Sequence, residues 1–180
     1  MKSVLLAVLL ATIISTSALA QFALGGHVNA LFPIGDFSNR TQGGFGFDVE
    51  GRFGMDKTLM TSASIGYHSF SQNAGARLNF TPIMLSLLYS LSTTDVKPYL
   101  GAGVGVNRVS SGQTGLRLTN SYFGVSPAFG IQYRSNEQVY FDINVRYNLT
   151  LANSNDLFDL LNRNAAYLVF NLGAFYTFGQ

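Results

Sequence analysis

The sequence predicts an all-β chain: an eight-stranded antiparallel up-and-down transmembrane β-barrel preceded by a cleavable signal peptide. Three observations carry that reading: a surface-poor charge content, a short apolar leader, and eight segments in which apolar residues recur at every second position. Charged residues make up 11% of the 180 residues, against 47% apolar and 13% aromatic, whereas a soluble domain averages about 25% charged. Something other than water therefore faces much of this surface. The texture shows no linker or tail, so residues 21–180 form one domain. A net charge of +2 with singly scattered basic residues argues against a nucleic-acid partner. The absence of cysteine excludes disulfide staples, thiolate catalysis, Cys-ligated metals and a lipidated anchor.

The leader, residues 1–20, opens with Lys2, continues as the apolar run Val4 to Ile14, and ends in small residues at Ala18-Leu19-Ala20. That is the order of a signal peptide, with cleavage after Ala20. The apolar run is about half the ~20 residues a membrane-spanning helix needs. The mature chain is expected to start at Gln21, in the periplasm of a two-membrane bacterium.

From there the period is two. Phe22, Leu24, Val28, Ala30 and Phe32 share one face of segment one, opposite His27 and Asn29. Segment two, Gly44 to Phe53, sets Phe45, Phe47, Val49 and Phe53 against Asp48, Glu50 and Arg52; a one-residue slip would expose three charges to lipid. Segment three, Leu59 to Tyr67, alternates less sharply, and segment four, Phe80 to Leu91, is blurred by Met84 and Leu88 on its polar side. Segment five, Pro98 to Val106, places Gly101, Gly103 and Gly105 on the inward side, which leaves room for bulky neighbours. Segment six, Tyr122 to Arg134, carries Pro127, at the cost of one ladder hydrogen bond. Segment seven, Val139 to Leu149, opposes Phe141, Ile143, Val145 and Tyr147 to Asp142, Asn144, Arg146 and Asn148, and segment eight runs from Tyr167 to Phe178. Each suits the ~9–11 residues of a tilted transmembrane strand. Tyr67, Tyr89, Tyr133, Tyr147, Tyr176 and Phe178 fall near segment ends on the apolar face, where interfacial aromatic girdles belong.

The joins at Gly54 to Lys57, Ser92 to Val96 and Ser135 to Gln138 are short, and those at Pro33 to Gln42, Ser69 to Asn79, Asn107 to Asn120 and Thr150 to Ala165 are longer. Short turns at one end and longer loops at the other is the outer-membrane barrel arrangement, and an even strand count puts both mature termini on the periplasmic side. Four stretches then carry a resemblance: Pro33-Ile34-Gly35-Asp36-Phe37-Ser38, Pro98-Tyr99-Leu100-Gly101-Ala102-Gly103-Val104-Gly105, Phe141-Asp142-Ile143-Asn144-Val145-Arg146-Tyr147 and Phe175-Tyr176-Thr177-Phe178. Over residues 21–180 the chain resembles the small outer-membrane barrels of the OmpA and OmpX type, within the group often called porin-family or outer-membrane β-barrel domain proteins. The resemblance implies residence in the cell outer membrane, contact with lipid and lipopolysaccharide, and insertion by the assembly machinery through the carboxyl-terminal strand. It departs at the end, where Gly179 and Gln180 follow Phe178 although such barrels usually finish on an aromatic residue.

Asp48, Glu50, Arg52, Arg134, Asp142 and Arg146 share the inward parity. Unpaired charge there would be costly, so acid–base pairs are expected. They either plug and order the lumen or line a narrow porin-like path for ions or small solutes; an eight-stranded barrel is about filled by its own side chains, which favours the plug. His27 and His68 also face inward and lack the spacing of a metal site or catalytic triad, so no catalysis, metal or cofactor is expected. Arg40, Arg77 and Arg117 make the loop end mildly basic and are candidate contacts for lipopolysaccharide phosphates. Leu157-Phe158-Asp159-Leu160-Leu161 after Asn155-Asp156 predicts a short capped helix over the rim. The expected role is structural or surface-interacting, in adhesion or envelope integrity, with a host or cell-surface ligand as partner. A soluble periplasmic lipocalin-like barrel, apolar face inward around a ligand, is the remaining alternative.

Overall fold

The computed structural model describes residues 22–55, 57–72, 77–113, 116–152, 161 and 164–178, with side chains at all of these except 112, 113, 116 and 117. The leader and its cleavage point at Ala20, most of the expected rim helix, and the closing Gly179 and Gln180 lie outside the described residues.

Eight strands form, in order β1 (Phe22–Ile34), β2 (Thr41–Gly54), β3 (Leu59–Gln72), β4 (Arg77–Ser90), β5 (Val96–Gln113), β6 (Leu116–Arg134), β7 (Val139–Leu151) and β8 (Ala165–Phe178). Each pairs antiparallel with its neighbours in sequence, and β1 closes onto β8 from Phe22↔Phe178 to Ile34↔Ala166. Closure satisfies the backbone groups that an open sheet edge would leave bare in hydrocarbon. Two of the gaps in the ladder lie at prolines, while a third irregularity, the register shift between Thr41 and Gly44 in the β2–β3 pairing, does not. The β6–β7 pairing skips from Val125↔Leu149 to Ala128↔Arg146 around Pro127, and the β3–β4 pairing skips from Ile65↔Ile83 to His68↔Phe80 around Pro82; neither proline has an N–H to donate.

The alternation decides inside from outside. Val28, Phe45, Leu85 and Ile143 are each more than 60% exposed, while Glu50 and Asp142 are at most 1% exposed. A belt of apolar side chains faces outward around the whole barrel and the charges are enclosed, which overturns the soluble lipocalin-like alternative: its exterior would be the polar set. Aromatic rings cluster where the belt ends. Phe22 lies 4.8 Å from Phe53 and 5.7 Å from Phe178, and Tyr176 lies 4.9 Å from Phe178, ring centre to ring centre. The blurred fourth segment is also explained. Met84, Ser86 and Leu88 of β4 pair across from Gly105, Gly103 and Gly101 of β5, and a Cβ on Gly101 would stand 2.6 Å from Leu88 Cδ2. The glycine column is what lets a bulky column point into so narrow a lumen.

The strands are longer than the alternation implies. Much of the expected 69–79 and 107–120 loops is strand, since β3 continues to Gln72, β4 starts at Arg77, β5 runs to Gln113 and β6 begins at Leu116. The join after β1 is a 3₁₀ turn, Gly35–Phe37, with Gly35 at φ 60°, a left-handed conformation that glycine adopts without a Cβ penalty. Four uniformly long loops at one end are therefore not what forms; of those joins the one after β7 is the long one. The reason is an inversion of polarity along the strand. Beyond the apolar belt Leu78, Phe80 and Val109 are buried in the barrel while Arg77 and Arg108 are exposed, so a strand that leaves the membrane keeps its parity and reverses its chemistry.

Candidate functional site

The lumen is built in three storeys, each supplied by inward positions of several strands. In the middle lies a charge network. Glu50 on β2 accepts from Arg52 Nε at 2.8 Å and from Arg146 Nη2 at 2.5 Å. Arg52 Nη1 donates to Asp142 Oδ2 at 2.9 Å, and the Tyr99 hydroxyl donates to the same carboxylate at 3.1 Å. Asn144 Nδ2 donates to Asp142 Oδ1 at 2.5 Å, and Asn171 Nδ2 donates to Asn144 Oδ1 at 2.6 Å. The Arg52 guanidinium carbon also lies 3.9 Å from the centre of the Phe175 ring, within cation–π range.

Both histidines enter this network, which their isolation in sequence did not announce. His27 Nε2 is 3.0 Å from Asp142 Oδ1. His68 bridges two elements, with Nε2 3.0 Å from Asp48 Oδ1 and Nδ1 3.1 Å from the Tyr167 hydroxyl, and Asn29 Nδ2 donates to Asp48 Oδ2 at 2.9 Å. Of the six inward charged residues, five are thus brought together in partnered positions. Arg134 is not: it lies at the barrel mouth, half-buried, its guanidinium carbon 5.2 Å from the centre of the Tyr140 ring, because it is the last residue of β6 and the network sits farther in. Large inward side chains recur opposite glycines, as with His27↔Gly173 and Asp48↔Gly66. Among the described residues no group of three or more His, Cys, Asp and Glu is placed to hold a metal ion.

Away from the termini the lumen is closed by an apolar plug that sequence reasoning missed. Phe37 drops in from the 3₁₀ turn and meets Phe70 and Phe80 at 5.3 and 5.8 Å; Tyr167 meets Phe70 at 5.0 Å and Phe80 at 5.5 Å. Leu31, Leu78, Val109, Tyr122 and Leu161 complete the cluster. The available signal was the shared parity of Phe70 with His68 and of Phe80 with Met84, but the alternation puts Phe70 in a join and Phe80 at the start of segment four. The void between network and barrel wall, lined by Ser86, Leu88, Tyr99, Ser126 and Arg146, has a volume of about 10 Å³, about room for one water.

At the end that holds the termini the lumen opens instead into a vestibule of about 540 Å³, lined by Arg52, Lys57, Lys97, Arg134, Tyr140 and neighbours. At the opposite end Arg77 is exposed at the start of β4, and Arg40 is exposed with Nη2 donating to the Leu161 carbonyl at 3.2 Å. The Arg117 side chain lies outside the described residues. On the outward face of the strand extensions, Thr81, Arg108, Ser110 and Thr119 line an open recess.

A closed eight-stranded barrel, lipid-compatible outside and ion-paired within, defines an integral outer-membrane β-barrel. The chain belongs to the outer membrane protein beta-barrel domain family, whose model matches residues 5–178. It is 26% identical over 173 residues to a Haemophilus influenzae protein described as uncharacterized, spanning 87% of this chain and 94% of that one. Among solved structures it is similar to neisserial surface protein A (NspA), with a TM-score of 0.71 at 19% identity, covering 87% of this chain and 97% of the other. Ail, the attachment invasion locus protein of Yersinia pestis, aligns with a TM-score of 0.60 at 14% identity over 88% and 99%. OprG of Pseudomonas aeruginosa gives 0.61 at 14% identity over 89% and 97%. Identities this low establish a common fold, and with the family they place the protein in the cell outer membrane.

Proposed function

We propose that this barrel is a sealed, non-catalytic scaffold of the outer membrane whose function is exercised at its surface, in adhesion or envelope integrity. The observation that carries this reading is the lumen, where among the described residues an ion-pair network and an aromatic plug stand in series, the hollow lined by Tyr99 and Arg146 holding about 10 Å³. Both histidines are buried in that lumen, where a lipid or surface substrate has no access. The similarity to NspA, a surface protein, and to Ail, an attachment invasion locus protein, points the same way. Both mature termini are read as periplasmic, so that the plugged end faces outward.

Purified protein in planar bilayers is expected to give no stable conductance steps, and a deletion strain is expected to lose surface adhesion or envelope integrity. Stable ionic steps that disappear on changing Arg52 or Arg146 would transfer the function to a narrow channel.

The outward end is also read as a lipopolysaccharide contact. Exposed Arg40, Arg77 and Arg108 ring it beyond the apolar belt, and arginine pairs with phosphate by charge-assisted hydrogen bonds. Changing Arg40, Arg77 and Arg117 together to serine is expected to weaken lipopolysaccharide binding and raise outer-membrane permeability. Unaltered binding and permeability in that variant would remove the arginines from any such role.

A further inference from the structure

The vestibule at the terminal end is not used by a sealed surface protein, yet its charges are arranged for a ligand. Lys57 reaches it from the β2–β3 turn, Lys97 from the start of β5 and Arg134 from the end of β6. Two of these cations converge on one aromatic ring: Lys97 Nζ is 5.9 Å and the Arg134 guanidinium carbon 5.2 Å from the centre of Tyr140. Among the described residues none of the three makes an ion pair; Asp95, in the adjoining turn, is the carboxylate felt by Lys97. Three like charges held around one hollow repel one another, and an anion between them relieves that repulsion.

A second observation points into the same space. Arg52 forms the inner wall of the vestibule and is 4% exposed, with its charge already balanced by Glu50 and Asp142 through Nε and Nη1. Its remaining nitrogen, Nη2, is buried and has no hydrogen-bond partner, and the same holds for Arg134 Nε. A buried guanidinium donor left unpaired is expensive. Arg52 and Arg134, which carry these donors, both line the hollow the cations surround, with Gln132 among the other lining polar groups.

We propose that the vestibule binds a multiply charged oxyanion, a phosphate group, held by Lys57, Lys97 and Arg134, with Arg52 at its inner wall. Arginine supplies directed N–H donors to phosphate oxygens and the lysines supply point charge. Three cations around one hollow favour a phosphate over a singly charged carboxylate. The aromatic and methionine side chains lining the hollow, Tyr140, Phe175, Met55 and Met60, suit a phosphate that carries an organic portion. Its source is either a lipid headgroup of the adjoining leaflet or a soluble phosphate.

The test uses the full mature barrel, refolded in an uncharged detergent, titrated with inorganic pyrophosphate at low ionic strength and followed by calorimetry. Saturable one-to-one binding is expected, about tenfold or more weaker in Lys97→Ala and in Arg134→Ala, unchanged in Arg77→Ser at the far end, and absent with acetate at the same concentration. Heat-modifiable gel migration confirms that each variant is folded. No saturable binding, equal loss in Arg77→Ser, or acetate binding as tight as pyrophosphate would each overturn the proposal. The titration is repeated in nanodiscs of phosphatidylcholine with and without phosphatidylglycerol. Competition by phosphatidylglycerol supports the site with a headgroup as the source, and undiminished binding supports it with a soluble phosphate.

Discussion

Glu50→Ala is expected to lower the unfolding free energy by about 3–5 kcal/mol, the range for removing one partner of a buried ion pair. Glu50 accepts from both Arg52 and Arg146, so its loss leaves the Arg146 guanidinium without a carboxylate and Arg52 with Asp142 alone. The lumen cannot rearrange to repair this, because the β2 and β7 positions involved are held by the ladders of a closed barrel. Glu50→Gln keeps the shape and one acceptor but not the charge, and should fall between alanine and wild type. Urea unfolding in lipid vesicles, followed by tryptophan-free probes such as tyrosine fluorescence or by heat-modifiable migration, reads the difference. A cost below about 1 kcal/mol, the median of exposed pairs, would mean that water reaches the network freely and that the lumen is open.

Leu85→Arg should cost about 2–4 kcal/mol, and Tyr89→Arg, four residues along the same outward face of β4, about 0–1 kcal/mol. Both side chains are more than half exposed on the outer surface. In hydrocarbon the penalty for a guanidinium is set by depth, so a steep gradient between two outward-facing exposed positions marks a bilayer and locates its middle. In water the two substitutions would cost the same, near zero. Equal costs in refolding titrations would therefore remove the membrane from the interpretation of the apolar belt.

The limits of legibility follow the same physics. Glu50 and Arg52 were legible as lumen residues because strand geometry sends every second side chain to one face, and the charges of Gly44 to Phe53 have one tolerable side. Arg134 obeyed the same parity and still missed the network, since parity assigns a face and not a height along the barrel. Phe70 and Leu78 kept the inward parity too, but beyond the belt the inside turns apolar and the outside polar, so the rule that identified the membrane strands concealed the extensions of β3 and β4 that carry them.

What the sequence by itself determined was local: a leader pattern, eight alternating segments, and the face on which each charge lies. Period two is a property of the extended backbone and needs no partner strand to be read. The tertiary structure alone decided which groups meet. Arg52 finds Asp142 across 90 residues and Arg146 finds Glu50 across 96, contacts set by strand stagger and closure of β8 onto β1. The sealed middle, the aromatic plug and the cationic vestibule are all products of that closure, because only a closed barrel brings side chains from distant strands into one lumen.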